Sequence, residues 1–215
     1  MKVFVAGATG RVATVLLQSL VARGHEVIAG ARSPEKIMVS DHITPVKLDL
    51  HDTVTHLAQT VKDVAAIYFV AGSRSQDLLQ TDAFGAVKMM QVAEMNHIQR
   101  FIMLSSAFSL TPEKWDNPAL AGLLDYNIAK FFADNYLVNQ TQLDYTILQA
   151  TALVAGEGSH HIALNDASGS KNTIQNVGET LASLLNHDNT IKQVIQMSDG
   201  PVAIDTALAA IKTVN

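Results

Sequence analysis

Residues 2–6 read Lys-Val-Phe-Val-Ala, and the next seven read Gly-Ala-Thr-Gly-Arg-Val-Ala before an apolar pattern of helical period begins. This seam constrains the chain more than any other stretch. An apolar run on successive residues describes a strand buried on both faces. Two glycines break the run, and the pattern from about Arg11 describes a helix that stops at Gly24. Gly7 admits backbone angles closed to other residues. Gly10 lets the backbone approach an anion at the helix N-terminus, where unpaired N–H groups and the helix dipole attract negative charge. Ala13 is small enough for the helix to pack on the strand. The spacing G-x-x-G-x-x-A, in a strand–turn–helix setting, predicts a seat for a dinucleotide pyrophosphate.

The rest of the chain repeats the alternation. Strands are predicted at His25–Ala31, Ile43–Leu50 (with Pro45 near its start), Ala65–Gly72, Arg100–Ser106 and Asp144–Gln149. A long helix covers about Gln76–Asn96, with Leu78, Leu79, Phe84, Val87 and Met90 among its apolar positions. A Pro-bounded polar loop, Ser109–Pro118, leads to a helix over about Ala119–Asn139. After the sixth strand come a loop, a short strand His161–Leu164, a helix near Ile174–Asn186, a strand Ile191–Met197 and a closing helix. Strands alternating with helices imply a doubly wound, parallel α/β sheet with right-handed crossovers. No linker or repeat interrupts it, so one domain is expected over 1–215. The region after the sixth strand is large enough to cover a pocket but not to form a second domain.

Composition excludes other classes. Of 215 residues, 48% are hydrophobic and 16% charged, a globular balance. No apolar run approaches the roughly 20 residues of a membrane span, and the N-terminus has no signal-peptide layout. These features lead us to expect a cytoplasmic protein with no membrane partner. Without cysteine, thiolate catalysis, disulfides and cysteine metal sites are impossible. None of the eight histidines has metal spacing with carboxylates, so no metal is expected. A net charge of −5 and the lack of a dense basic run argue against nucleic acid.

Cofactor preference can be read at the end of the second strand. An acidic residue there accepts from the ribose hydroxyls of NAD. This chain instead has Ala31 and Arg32, and Arg32 would attract a 2′-phosphate with a planar fork of donors. Arg11, beside Gly10, can reach the same phosphate. NADP(H) is therefore expected over NAD(H). For the chemistry, Tyr126 and Lys130 stand four residues apart on one helix face. A neighbouring ammonium favours a phenolate, and the same lysine can hold a ribose hydroxyl. Ser105 and Ser106 end the fifth strand at the crevice, where a serine hydroxyl can hydrogen-bond a carbonyl oxygen. Trp115 is either a lid or an ordinary packed aromatic. His160 and His161 read as surface loop, Met89, Met90, Met95 and Met103 as filler, and Asp82 as a helix-side hydrogen-bonding group.

These residues resemble those of an atypical short-chain dehydrogenase/reductase. The chain is similar to single-domain NAD(P)H-binding proteins labelled NAD-dependent epimerase/dehydratase, and to the flavin reductase/biliverdin reductase B group. The resemblance implies a Rossmann fold. It places Gly7, Thr9, Gly10, Arg11 and Val12 at the phosphate turn, and Arg32 in the segment after strand two. Asp49 and Leu50 fall near the adenine, and Ala71, Gly72 and Ser73 against the nicotinamide-side ribose. Ser105, Ala150 and Leu153 fall near the nicotinamide. In such proteins Tyr126 would exchange the proton, Lys130 would clamp the ribose, and Ser106 would donate on the substrate side. The chain departs from the family pattern R-P-G, having Gln149-Ala150-Thr151. The smaller members are monomers or homodimers, and dimers pair through the helices holding Tyr126 and Gln76–Asn96.

The function expected is hydride transfer from NADPH to a small carbonyl, quinone or flavin-type acceptor. The alternatives are a non-catalytic NADP-binding sensor like the NmrA-type regulators, and a sugar-nucleotide epimerase or dehydratase.

Overall fold

The computed structural model describes residues 1–120, 122–166 and 171–213. Strand β1 (Lys2–Ala6) leads into α1 (Arg11–Ala22), then β2 (Glu26–Ala31) and β3 (Ile43–Lys47). Next come α2 (Val54–Thr60), β4 (Ala66–Phe69), a π-helical turn Leu78–Ala83, α3 (Phe84–Met95) and β5 (Arg100–Ser106). Helix α4 (Leu124–Gln140) and β6 (Asp144–Ala150) follow, then β7 (Ala152–Val154), β8 (His161–Leu164) and β9 (Lys171–Thr173). Helix α5 (Ile174–Ser183), β10 (Gln193–Asp199), β11 (Val202–Ala203) and α6 (Ile204–Ala209) complete the described chain.

Nine strands form one sheet in the order β11-β8-β10-β6-β5-β4-β1-β2-β3. All pairings from β10 to β3 are parallel; β8 and β11 add antiparallel pairs at one edge. The protein has a doubly wound Rossmann fold. Strand alternation feeds two cores. Val3 and Val5 join Leu16, Leu20, Tyr68 and Leu181 on one face. Phe4 and Ala6 join Ile67, Phe69, Met89 and Leu137 on the other. The order turns back at β1, which lies between β4 and β2, so a crevice opens beyond their carboxyl ends. No helix among the described residues is long and apolar enough to cross a membrane.

Several boundaries differ from expectation. Helix α2 lies in a stretch with no strong apolar period; Thr53 caps it, its side chain accepting from the His56 N–H. Pro45 stands in mid-strand, paired with Ala29, which is tolerated because β3 is the sheet edge. The helix expected from Gln76 starts as a π-turn, and Leu79 and Phe84 are exposed, as is Met95. The helix expected from Ala119 is regular only from Leu124; position 121 lies outside the described residues. After β6, strands β8, β10 and β11 extend the sheet, β7 and β9 pair as a separate two-stranded sheet, and α5 packs on α1. A Cβ on Gly178 would lie 2.6 Å from Val15 Cβ, so this glycine sets the helix–helix approach.

Candidate dinucleotide and active site

The crevice at the β1–β4 carboxyl ends is a cavity of about 580 Å³. Gly7, Thr9, Gly10, Arg11 and Val12 form one wall. Gly7 has φ +91°, and a Cβ there would lie 2.5 Å from Ala71 Cα. The backbones of the two loops thus touch at Gly7. Its N–H and that of Ala8 both donate to Gly30 O at 3.0 Å, and Gly10 N–H donates to Gly7 O at 3.0 Å. That leaves the first-turn amides of α1, from Arg11 onward, without helical acceptors. No acidic residue occupies that first turn. The turn therefore presents positive charge to the cavity with no carboxylate of its own nearby.

Beyond the turn, Arg32, Ser33 and Lys36 line the cavity beside Asp49 and Leu50. Ala71, Gly72, Ser73, Arg74 and Ser75 form the opposite lip. Arg74 and Ser75 have φ +52° and +62°, consecutive left-handed residues that other contacts must hold in place. Asp82 is one such contact. It is buried at the cavity wall, and its Oδ2 accepts from the Ser73 N–H at 2.9 Å. His51 Nε2 and Asp77 Oδ2 are 2.7 Å apart, tying the segment after β3 to the π-turn. Hydrogen bonds from Thr81 and then His51 hold the Asp77 carboxyl below its usual range. Five cations share one cavity, Arg11, Arg32, Lys36 and Arg74 toward the glycine turn and its neighbouring loops and Lys130 at the other end, as suits a ligand with several phosphates.

Tyr126 and Lys130 close the other end with Leu104, Leu123 and Leu153. Lys130 Nζ lies 5.7 Å from the Tyr126 ring centroid and 5.9 Å from that of Phe69. Its backbone contact is Leu104 O at 3.5 Å.

Ser105, Ser106 and Ala150 do not line this cavity. Ser106 Oγ donates to Asn127 Oδ1 at 2.8 Å, and Ser105 Oγ donates to Asp134 Oδ2 at 2.7 Å. Both hydroxyls are buried and satisfied by α4, so strand-end position alone did not decide their direction. Ala150 is buried, its carbonyl accepting from the Ala107 N–H. Trp115 packs edge-on against Phe131 and donates to Phe108 O at 2.8 Å; it forms no lid. His160 pairs with Glu179 at 2.6 Å, away from the cavity, and His161 is exposed. Arg32 and Lys36, which the sequence also allows as a solvated surface pair, both line the cavity, whereas nothing in sequence marks Arg74.

The sequence profile described as NAD(P)H-binding matches residues 7–188, starting at the first glycine of the turn. The crystal structure of the oxidoreductase ylbE from Lactococcus lactis is 42% identical, with a TM-score of 0.96 over 98% of this chain and 96% of that one. A putative NAD-dependent epimerase/dehydratase from Bacillus halodurans is 28% identical, with a TM-score of 0.82 over 97% and 98%. YhfK of Bacillus subtilis, described as an uncharacterized sugar epimerase, is 28% identical over 97% of this chain and 99% of its own. A glycine turn that meets the neighbouring loop backbone, open helix amides and a profile spanning most of the sequence agree: the chain belongs to the NAD(P)H-binding family.

Proposed function

We propose that the protein is an NADPH-dependent oxidoreductase that passes hydride to a small carbonyl, quinone or flavin-type acceptor. One observation carries this reading: Tyr126 and Lys130 face the same cavity that Arg11, Arg32 and Lys36 line. The residues fit the cofactor. The α1 amides would hold the pyrophosphate, Arg32 with Arg11 or Lys36 the 2′-phosphate, and Lys130 a ribose hydroxyl. The reduced dinucleotide supplies the hydride. Tyr126 would give its hydroxyl proton to the acceptor oxygen, so that a carbonyl reduced by that hydride would leave as an alcohol. The Lys130 ammonium, close to the tyrosine ring, offsets the negative charge left on its oxygen.

A second reading is binding without turnover, as in an NADP sensor. The Ser106–Asn127 bond favours it, because it leaves Tyr126 without a serine partner facing the cavity. An epimerase acting on a nucleotide sugar is less well supported. Of the described residues after β6, only Leu153 lines the cavity, which leaves little wall for a second nucleotide. NADPH consumption against flavins, quinones and small aldehydes separates the readings, with Tyr126→Phe in parallel. Carbonyl reduction that falls about 100-fold or more in the variant supports the tyrosine as acid. Tight NADPH binding with no turnover on any acceptor supports the sensor.

A further inference from the structure

Behind Lys130 lies a polar cluster that the proposed reaction does not use. Asp134 stands one turn further along α4 and is 0% exposed. Its Oδ2 accepts from the hydroxyls of Ser105, at the end of β5, and Ser109, in the following loop. Gln149 of β6 donates to Ser109 Oγ at 2.7 Å. Asp134 Oδ1 has no close hydrogen-bond partner among the described residues. Lys130 is itself only 2% exposed, and its one hydrogen bond among the described residues, to Leu104 O, is long.

Burying an ammonium is costly unless an opposite charge is close. Lys130 and Asp134 are four residues apart on one helix, which puts them on the same face; their charged atoms lie beyond ion-pair distance, so the attraction acts through the buried space between them. Lys130 is the one cation whose field acts on Asp134 among the described residues. Gln149 is neutral; it donates to Ser109 and also acts weakly on the Asp134 carboxyl, but it brings no charge to offset that of the carboxylate. Burial pushes the Asp134 carboxyl up to about 6, while Ser105, Ser109 and then Lys130 act in the opposite direction.

We propose that Asp134 is a positioning residue: anchored by Ser105 and Ser109, it supplies the counter-charge that keeps the Lys130 ammonium at the cavity floor, ready for a ribose hydroxyl of the dinucleotide. The ribose contact rests on the dinucleotide reading above; the charge pairing does not. Ser105 thereby acts from behind the site and not at its surface. Asp134 touches neither cofactor nor acceptor.

The test is a double-mutant cycle with Asp134→Asn, Lys130→Met and the double variant, read by NADPH dissociation constant and by melting temperature. We expect Asp134→Asn to weaken NADPH binding about tenfold with Lys130 present and by less than about twofold in the Lys130→Met background. Equal weakening in both backgrounds would show that Asp134 merely shapes α4, and would overturn the proposal. Melting reads the pairing without cofactor. The change on Asp134→Asn must be less favourable by about 3 °C or more when Lys130 is present. Equal melting changes would overturn the pairing. If the wild-type protein binds no NADPH, the dinucleotide reading and the ribose contact fall together, and the melting cycle alone decides the pairing.

Discussion

On the proposed reading, single side chains set the cofactor selectivity of the cavity. Arg32 takes the place where an acidic residue would meet the ribose of NAD, and it lines the cavity with Lys36. A charge-assisted bond to the 2′-phosphate contributes about 1.5–3 kcal/mol, so Arg32→Glu should cut the preference for NADPH over NADH by ten- to 100-fold or more, roughly. Dissociation constants for both cofactors measure this, and an unchanged ratio would remove Arg32 from the reading. Asp134 governs a pH effect. Its carboxyl binds a proton more tightly in the folded chain, being pushed from 3.8 to about 6 by burial. Its contribution to stability is therefore full below about pH 4 and is lost as pH rises through about 6. Asp134→Asn removes that loss. The difference in urea midpoint between variant and wild type must shift in the variant's favour across this window. His25, lowered by burial, gives the opposite slope in both proteins and cancels in the difference.

At the scale of elements, the approach of α1 to α5 depends on Gly178. A Cβ there meets Val15 Cβ at 2.6 Å and Leu16 N at 3.1 Å. Neither atom is the end of a flexible chain, so Gly178→Ala must move one helix. Overpacking of this kind costs about 1–3 kcal/mol, a drop of several degrees in melting temperature at roughly 2–4 °C per kcal/mol. An unchanged melting temperature would mean that the helices separate freely. The variant also tests how far the cavity depends on this contact, since the first turn of α1 lines the cavity. The β1–α1 turn is tighter still. Gly7→Ala would bring its Cβ against the Ala71 backbone at φ +91°, and we expect NADPH binding to weaken at least about tenfold. Isothermal titration against wild type measures it.

Over the whole molecule, the two cores hold the strands between layers of helices, and the cavity opens where the strand order reverses. A ligand seated there touches β1, β2 and β4 ends and α4 together, and so stabilises the fold by linkage. At about 100 times its dissociation constant, NADPH should add about 2.7 kcal/mol. NADH at the same concentration should add less. Melting curves with each cofactor check this, and equal shifts would contradict the role given to the cationic end of the cavity.

The glycine turn and the alternation of apolar runs were legible in the chain itself. They set the α/β class, the ends of β1 and β5, and the glycine turn that opens α1 onto the cavity, because backbone sterics and side-chain periodicity act locally. Arg32 could be read for the same reason, since its place follows from the end of one strand. Tertiary packing decided what local pattern leaves open. Helix α2 forms without a strong apolar stripe, held by its Thr53 cap and the burial of Leu57 and Ala58. The direction of Ser105 and Ser106 depended on Asp134 and Asn127, more than 20 residues away. The cluster behind Lys130 draws on β5, its following loop, α4 and β6. No spacing in sequence marks such a cluster, because burial and partner choice exist only once the strands and helix have come together.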